Sequence, residues 1–452
     1  MELLWAGAYE QARALREGSV RAPELLDAVL ERLHAVNPVL NAFRRVYDSA
    51  REAAEAAQAR IDAGESTPLL GVPIAVKDDI DVEGDFTAMG GPRQWPDATA
   101  DSAAVARLRA AGAVLVGRTL TPDRCLWPFT ETMTYGATRN PWNTDYTPGG
   151  SSGGTAAAVA AGVVGAGTAS DGGGSVRMPA CATGVFGLKT SRGMVPLAPS
   201  RELWHGLSGL GAIGRGVADA AAVVEVMAAQ DGLVGAVAAP PQPLRVALVW
   251  GTPVGRPPMS EEYRRAVADT ADRLRDLGHR VTETSTPLGA RPSPQFMTRY
   301  LRGIADDVAS LPHPELVEPR TRRIAALGAR IPDRVLARVR AAEAGLHERM
   351  AGFWADHDVI LQPGWTRRPT RIGRYHGSGA STTLPPVAVH VSYFPTWNVL
   401  GYPAAAVPVA VDSARMPIGV QLIGPADSER LLLSLSGQYE RAHPWTDRRP
   451  GL

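Results

Sequence analysis

The stretch Thr147-Pro-Gly-Gly-Ser-Ser-Gly-Gly-Thr155, followed after a run of Ala, Gly and Val by Ser170-Asp-Gly-Gly-Gly-Ser-Val-Arg177, organises the chain. Glycine is conformationally costly, so such density is expected where backbone approaches a neighbour closely or adopts angles closed to other residues. Three glycines before Ser175 can turn their N–H groups toward one point beside a hydroxyl, which is the geometry of an oxyanion hole. A serine-capped, glycine-rich turn explains one such cluster equally well. Two clusters that flank one buried element favour a catalytic site.

The composition is that of an ordinary globular protein. The 452 residues are 45% hydrophobic and 21% charged, and the net charge of +1 gives no electrostatic reason to expect nucleic acid or an anionic membrane as a partner. Two cysteines, Cys125 and Cys181, do not make a disulfide framework, and the first residues lack the basic-then-apolar pattern of a signal sequence. We therefore predict a cytoplasmic protein without nucleic-acid or membrane partners.

The order of the predicted elements indicates an α/β fold. Apolar runs at 71–77 and 113–117 predict strands, and a helix over 103–111 lies between them. Strand, helix and strand in that order imply a parallel or mixed sheet with helices on its faces. Further strands are predicted at 162–166, 244–250, 358–363, 404–411 and 418–423, and helices at 8–34, 49–63, 155–161, 216–229, 260–277, within 300–356 and after 427–428. The Asn37-Pro38 pair predicts a break after the first helix.

Lysine is rare in this chain. Of 47 basic residues only Lys77 and Lys189 are lysines. Codon bias in a GC-rich genome explains the preference for arginine, but it does not explain where lysine remains. Arginine cannot give up its proton in a protein, whereas a buried lysine can. Lys77 ends the strand 71–77, so we expect it to act as the base that a nucleophilic serine needs.

Several other sites are excluded by context. Gly149-Gly-Ser-Ser-Gly153 fits the G-x-S-x-G nucleophile elbow, but a polar loop with two prolines precedes it instead of the required apolar strand. A phosphate-binding loop would need Lys-Ser or Lys-Thr after its glycines. None of the nine histidines belongs to a metal-ligand motif, so no metal and no cofactor are expected.

Motifs in a fixed order together resemble the amidase signature family: Gly71-Val-Pro-Ile-Ala-Val-Lys-Asp78, Pro148-Gly-Gly-Ser-Ser-Gly-Gly154, Ser170-Asp-Gly-Gly-Gly-Ser-Val-Arg177 and Gly187-Leu-Lys189. The resemblance covers nearly the whole chain. It implies one large α/β domain of the amidase signature fold, with a central mixed, mostly parallel sheet covered by helices on both faces. The expected parts are N-terminal helices (1–65), a catalytic core (66–230), a variable helical and substrate-pocket region (240–390) and C-terminal strands and helix (391–452).

The resemblance also implies the roles of the catalytic residues. Ser175 would be the nucleophile that forms the acyl-enzyme, and Ser151, which follows a cis peptide bond from Gly150, would relay the proton to the base Lys77. The backbone N–H groups of Gly172, Gly173 and Gly174 would form the oxyanion hole. Asp171 and Arg177 would be a supporting pair, and Lys189 would be structural.

The substrate pocket is less well defined by the sequence. Cys125, Trp127, Ser152 and Trp204 are candidate pocket residues, although core packing explains each of them as well. The expected partner is a small-molecule amide that is hydrolysed by the free-standing chain, and a homodimer stays open.

Two alternatives remain within the same resemblance. The first is a glutaminase-type A subunit of a tRNA-dependent amidotransferase, and the second is a related enzyme that cleaves esters or transfers acyl groups. Leu120, Trp127, Trp204 and Leu207 are apolar, which disfavours the charged groups of glutamine because their burial needs ionic partners. Against this, an arginine nearby could bind a carboxylate; the candidates are Arg118, Arg124 and Arg201.

Overall fold

In the computed structural model, residues 2–200 and 202–452 are described, and within them an 11-stranded mixed sheet forms the centre of an α/β fold. The strands are β1 (Phe43–Val46), β2 (Pro73–Lys77), β3 (Val114–Thr119), β4 (Glu131–Thr132), β5 (Gly136–Ala137), β6 (Ala166–Asp171), β7 (Phe186–Lys189), β8 (Gly209–Gly214), β9 (Arg245–Val249), β10 (Arg280–Thr284), β11 (Val359–Pro363), β12 (Ala404–Val411) and β13 (Pro417–Ile423).

Helices cover both faces of this sheet. They are α1 (Ala8–Arg16), α2 (Ala22–Leu40), α3 (Ala50–Asp62), α4 (Ala103–Ala110), α5 (Gly153–Ala160), α6 (Arg177–Thr183), α7 (Val217–Ala228), α8 (Leu233–Ala238), α9 (Glu261–Asp276), α10 (Pro292–Ala309), α11 (Pro319–Gly328), α12 (Asp333–Ala341), α13 (Glu343–Asp356), α14 (Ala380–His390), α15 (Thr396–Val399) and α16 (Glu429–Ala442). Short 3₁₀ helices span Glu2–Trp5, Asp123–Cys125, Trp204–Gly206 and Pro314–Leu316.

The strand order explains how distant sequence segments meet. The order is β1-β3-β2-β6-β8-β7-β12-β13-β11-β9-β10, while β4 and β5 form a separate ribbon. Pairing is parallel in β3-β2-β6 and in β11-β9-β10, and the pairs between these two groups are antiparallel. The expected mixed sheet is confirmed, with its parallel pairs on its two sides. Because β2 and β6 are parallel neighbours, their carboxyl ends, which carry Lys77 and Asp171, lie at the same edge.

Helix α5 brings the first glycine-serine cluster to that edge. All its residues are buried, and all are Gly, Ala, Thr or Val, so the helix backbone can approach the strands closely. A Cβ on Gly154 would lie 2.5 Å from both the Leu120 nitrogen and the Ala42 oxygen, which leaves no room for a side chain. The small-residue helix predicted at 155–161 is therefore confirmed, and its start follows Ser151 and Ser152 directly.

Three predicted elements are wrong in detail. The helix predicted over 8–34 is two helices, separated near Gly18, which has a φ of 70°. The second helix continues through Asn37-Pro38 to Leu40, because the Asn37 side chain accepts hydrogen bonds from the backbone N–H groups that follow the helix. Residues 162–165 of the strand predicted at 162–166 form a loop, and the strand β6 begins only at Ala166 and leads into the second glycine-serine cluster.

Membrane crossing by a helix finds no support in the structure. Within residues 2–200 and 202–452, no helix combines the length and the apolar character that a span requires.

A buried ion pair joins the end of β6 to the start of α6. Asp171 accepts hydrogen bonds from Arg177 Nε and Nη2, each at 3.0 Å, and both side chains are fully buried. The guanidinium also donates to the side-chain oxygens of Asn398 on α15 and Gln421 on β13, each at 2.7 Å. Burial alone would raise the pKa of Asp171, but the Arg177 guanidinium outweighs burial and holds that pKa well below its ordinary value. The pair therefore ties four elements together.

We expect Asp171→Asn to lower the free energy of unfolding by about 3–5 kcal/mol, because it leaves a buried guanidinium without its counter-charge. Folding lowers the pKa of Asp171, so its contribution is complete above the unfolded value near 3.8 and is lost only as the pH falls toward the folded value. Urea unfolding at neutral pH therefore measures the contribution in full.

The matched control for this variant is Asp145→Asn. Asp145 pairs with Arg371 at the surface, where both side chains are 64% exposed, so its loss should cost less than about 1 kcal/mol. An equal decrease in the free energy of unfolding in the two variants would contradict the supporting role of the Asp171–Arg177 pair.

Candidate active site

Lys77 ends β2 with its side chain fully buried among polar partners. Its Nζ lies 2.8 Å from Ser151 Oγ, 2.5 Å from Ser170 Oγ and 2.9 Å from Asp79 Oδ2. These contacts match the three N–H groups of an ammonium, or the two N–H groups and the lone pair of a neutral amine. The sequence predicted that Lys77 and Ser151 would meet. It missed Asp79 and Ser170, although each lies within five residues of a predicted catalytic residue.

The loop after Lys77 is anchored by a second set of charges. Asp78 is fully buried and forms ion pairs with Arg44 at 2.7 Å and Arg118 at 2.9 Å. Its backbone N–H donates to the Thr119 carbonyl at the end of β3. Arg44 and Arg118 come from β1 and β3, so the three neighbouring strands hold the backbone on both sides of Asp78. This fixes where the Lys77 and Asp79 side chains begin.

Ser151 lies at the start of α5 and is 1% exposed. The Gly150–Ser151 peptide bond is cis, as the family resemblance implied. A Cβ on Gly150 would lie 2.4 Å from the Trp127 carbonyl oxygen, so only glycine fits before this serine. The Ser151 hydroxyl is thereby held beside the Lys77 amine.

Ser175 lies between β6 and α6 and is 7% exposed. Its hydroxyl makes no hydrogen bond to Ser151 or to any other group in the described part of the chain. Its backbone carbonyl accepts a hydrogen bond from the Ser152 N–H at 3.2 Å, which connects the two glycine-serine clusters. Ser151 and Ser175 line the same cavity.

The predicted oxyanion donors are not equivalent. The Gly174 N–H already donates to Asp171 Oδ1 at 2.6 Å, so it is engaged in the support of the loop. The N–H groups of Gly172 and Gly173 have no acceptor among residues 2–200 and 202–452. The expectation for Gly174 therefore needs revision, and Gly172 and Gly173 are the two amides that remain free to bind a carbonyl oxygen.

Aromatic rings rest directly on these glycines. A Cβ would lie 2.8 Å from the Trp204 ring at Gly172 and 3.0 Å from the Phe296 ring at Gly173. Gly174 has a φ of 121°, and its Cβ would lie 2.6 Å from Phe394. The missing side chains thus let the pocket wall touch the loop backbone, which is the close approach that the glycine density predicted, although the sequence did not identify the aromatic rings as the neighbours.

A cavity of about 540 Å³ opens in front of Ser151, Ser170 and Ser175. We call it the acidic cavity because carboxylates dominate its charged groups, which are Asp79, Asp81, Glu202, Asp306 and Asp307 together with Arg124 and His205.

A second cavity, of about 180 Å³, also reaches Ser175. We call it the apolar cavity, and its wall includes Trp127, Met178, Phe296, Leu384 and Val387. Helices α10 and α14 supply much of this wall. Ser175, Cys125 and Trp204 line both cavities, so the candidate nucleophile lies where the two cavities meet.

The predicted pocket residues divide accordingly. Trp127 lines the apolar cavity, while Cys125 and Trp204 line both cavities. Burial raises the pKa of the Cys125 thiol to about 12, so this thiol stays protonated and is not a rival nucleophile. Ser152 is placed differently from the prediction: it is fully buried behind the site and lines neither cavity, and its hydroxyl donates to the Ser170 carbonyl.

The arginines considered as carboxylate binders are already engaged. Arg118 is buried against Asp78, and Arg124 forms a two-point ion pair with Asp307. Arg201 lies outside the described residues. Of the apolar residues named with them, Leu120 and Leu207 are buried but line neither cavity.

The second lysine and the metal-ligating residue types also bear on the chemistry. Lys189 donates to the backbone carbonyls of Thr190 and Tyr402, each at 2.8 Å, and burial lowers its pKa to about 7. These contacts are consistent with the structural role expected of Lys189. Within the part of the chain that the structure describes, no group of three or more His, Cys, Asp or Glu side chains is arranged to hold a metal ion.

The chain is similar to known proteins over nearly its whole length. A family model described as Amidase matches residues 24–433. The chain is 45% identical to the putative amidase AmiB2 of Mycobacterium tuberculosis, over 100% of this chain and 99% of that one. Its fold is similar to 6-aminohexanoate cyclic dimer hydrolase, with 29% identity, a TM-score of 0.89 and 99% of both chains covered. It also resembles a bacterial aryl acylamidase of the amidase signature family in fold, with 24% identity, a TM-score of 0.87 and 99% of both chains covered.

Proposed function

The chain belongs to the amidase family, that of the amidase signature enzymes, and on that premise we propose that it cleaves carboxamides through an acyl-enzyme on Ser175. Hydrolysis of amide bonds is the activity that the family membership and the amide-hydrolase neighbours support. One observation carries the mechanistic proposal. A buried amine, Lys77 Nζ, lies 2.8 Å from the Ser151 hydroxyl, which shares a cavity with Ser175.

The first half of the reaction forms the acyl-enzyme. The Ser175 hydroxyl rotates toward Ser151 when substrate binds, since catalytic hydrogen bonds often tighten only in the substrate complex. Ser175 gives its proton to Ser151, and Ser151 gives its own proton to the lone pair of neutral Lys77. The Ser175 oxygen then bonds to the carbonyl carbon, and the carbonyl oxygen takes up the negative charge. Hydrogen bonds from the Gly172 and Gly173 amides stabilise that charge.

The second half releases both products. Lys77 returns the proton through Ser151 to the amide nitrogen, the C–N bond breaks and the amine leaves. A water molecule then gives a proton to the same relay and attacks the ester of Ser175. Collapse of that intermediate restores the Ser175 hydroxyl and frees the carboxylic acid. The sum is one amide and one water converted to one acid and one amine.

Asp79 and Ser170 have positioning roles in this scheme. Ser170 accepts from the Lys77 amine and donates to Asp79 at 2.5 Å, so the three groups form a closed triangle. The triangle uses two of the Lys77 contacts and directs the third toward Ser151. The lone pair of the neutral amine is thereby aimed at the hydroxyl whose proton it must accept.

A fluorophosphonate or sulfonyl fluoride probe should label Ser175 covalently, because such probes react with activated serine hydroxyls. Ser175→Ala should abolish labelling while the circular dichroism spectrum stays unchanged. Ser152→Ala is the matched control: its hydroxyl faces the Ser170 carbonyl, so labelling should persist. Peptide mapping that located the label on Ser151 or Ser152 would overturn the assigned roles.

Lys77→Arg should lower kcat/KM by about 10²-fold or more, the low end of general-base contributions. The substitution keeps the positive charge but not the ability to accept a proton, because a guanidinium stays protonated. A residue needed only for an ion pair with Asp79 would keep much of its function as arginine. Substantial activity of the folded variant at neutral pH would therefore refute the relay.

The purified chain alone should hydrolyse at least one carboxamide with an apolar acyl group and should act poorly on glutamine. The acyl part of glutamine carries an ammonium and a carboxylate, and their entry into the apolar cavity lacks ionic partners. Released ammonia or amine would be measured without a nucleotide, tRNA or partner subunit. A preference for glutamine, or activity only with partner subunits added, would favour the amidotransferase subunit instead.

A further inference from the structure

Two cavities of opposite character meet at Ser175, and the free amides lie on either side of the junction. Gly172 lines the acidic cavity and Gly173 lines the apolar cavity. A carbonyl oxygen bound by both amides would place its carbon at the junction. One substituent of that carbon then extends into each cavity.

The position of the proton relay determines which substituent of the carbonyl carbon enters which cavity. Ser151 and Ser170 line the acidic cavity and do not line the apolar one. The departing nitrogen must receive its proton from Ser151, so it must face the acidic cavity. The acyl chain therefore enters the apolar cavity. The volume of the apolar cavity is about 180 Å³. This exceeds the volume of about 150 Å³ of an engineered protein cavity that holds benzene, so one aromatic ring or a short alkyl chain fits.

Guanidinium groups neutralise only part of the carboxylate set in the acidic cavity. Three of the five carboxylates form ion pairs with arginines: Asp307 with Arg124, Asp306 with Arg302 and Glu202 with Arg340. Asp81 accepts a hydrogen bond from the Thr87 hydroxyl at 2.6 Å but forms no ion pair within residues 2–200 and 202–452. Asp81 is therefore a carboxylate of this cavity without a cation from the described protein.

Asp79 is the second carboxylate of the acidic cavity that bears on its charge balance. Its side chain is 7% exposed, and all its contacts use Oδ2, which leaves Oδ1 without a hydrogen-bond partner in the described part of the chain. Among residues 2–200 and 202–452, Lys77 is the one cation that forms an ion pair with Asp79. When Lys77 is neutral and ready to accept a proton, no other described residue supplies Asp79 with a counter-charge, which is costly for a carboxylate largely removed from water.

We propose that the preferred leaving amine carries a second, cationic amino group that binds at Asp79 and Asp81. The substrate class is then an N-acyl diamine with a small apolar or aromatic acyl group. The ammonium supplies the charge that Asp79 lacks when Lys77 is neutral, so it assists catalysis as well as binding. This inference rests on the proposed amide hydrolysis and adds which amides are preferred.

Three benzamides of equal acyl group and similar length test the proposal. They are N-benzoyl-1,4-diaminobutane, N-butylbenzamide and N-benzoyl-4-aminobutanoate, whose amine parts are cationic, neutral and anionic. We expect kcat/KM for the cationic amide to exceed that for the neutral one by about tenfold or more, as for a hydrogen bond to a charged group. The anionic amide should be the poorest substrate.

Asp81→Asn should reduce the ratio of the cationic to the neutral kcat/KM toward one. Asp145→Asn, the same substitution at an exposed ion pair, should leave the ratio unchanged. A binding measurement adds independent evidence, because it needs no turnover. In Ser175→Ala protein, which cannot form the acyl-enzyme, calorimetry should show N-benzoyl-1,4-diaminobutane binding more tightly than N-butylbenzamide, and Asp81→Asn should remove that difference.

Equal or faster cleavage of the neutral or anionic amide would overturn the proposal. So would cleavage of other carboxamides with none of the three accepted, or equal binding of the cationic and neutral amides. Failure of the proposed function itself looks different: no carboxamide is cleaved and the serine probe does not label Ser175. In that case the proposed preference for N-acyl diamines would be refuted together with the proposed function.

Discussion

The site depends on how one buried carboxylate organises the backbone around it. Asp171 accepts hydrogen bonds from the Gly174 and Val176 amides and from the Arg177 guanidinium. The chain after β6 is therefore folded around the carboxylate, and two of its amides are turned inward. The amides of Gly172 and Gly173 point elsewhere as a result, and Ser175 follows at the start of α6. One ion pair thus stabilises the core and shapes the segment that carries the candidate nucleophile.

Much of the fold could be predicted from periodicity, and the failures have identifiable causes. Continuous apolar runs such as 404–411 have the length and flanking residues of buried strands, and β12 spans the same residues. Residues 162–165 are also apolar but lie in a loop; the prediction failed there because hydrophobicity alone does not distinguish a buried loop from a strand. Asn37-Pro38 failed as a break because a side chain caps the helix end beyond the proline.

The candidate site was predictable to the extent that it lies in contiguous motifs. Lys77 and Ser151 are brought together as expected, since β2 ends at Lys77 and α5 begins just after Ser151 at the same sheet edge. Asp79 and Ser170 were missed because nothing in the sequence separates an acid or a hydroxyl that contacts the lysine from one that is solvated or structural. The role of Gly174 was misjudged because the sequence does not say which amides a nearby carboxylate already occupies. Helices α10 and α14 lie within the region 240–390 in which the resemblance implied a substrate pocket, but which of their side chains form its wall depends on long-range packing that sequence patterns do not encode.

The close contacts between glycine backbone and aromatic rings have an evolutionary consequence. The groups proposed to break the bond come from residues 77–175, whereas Phe296 and Leu384 in the apolar wall come from helices more than 100 positions further along the chain. The wall meets the nucleophile loop mainly through rings that lie on glycine. Substitutions in those helices can therefore alter the shape of the accepted acyl group and leave the proton relay intact. Selection can diversify the substrates of this scaffold and conserve its chemistry through separate parts of one gene.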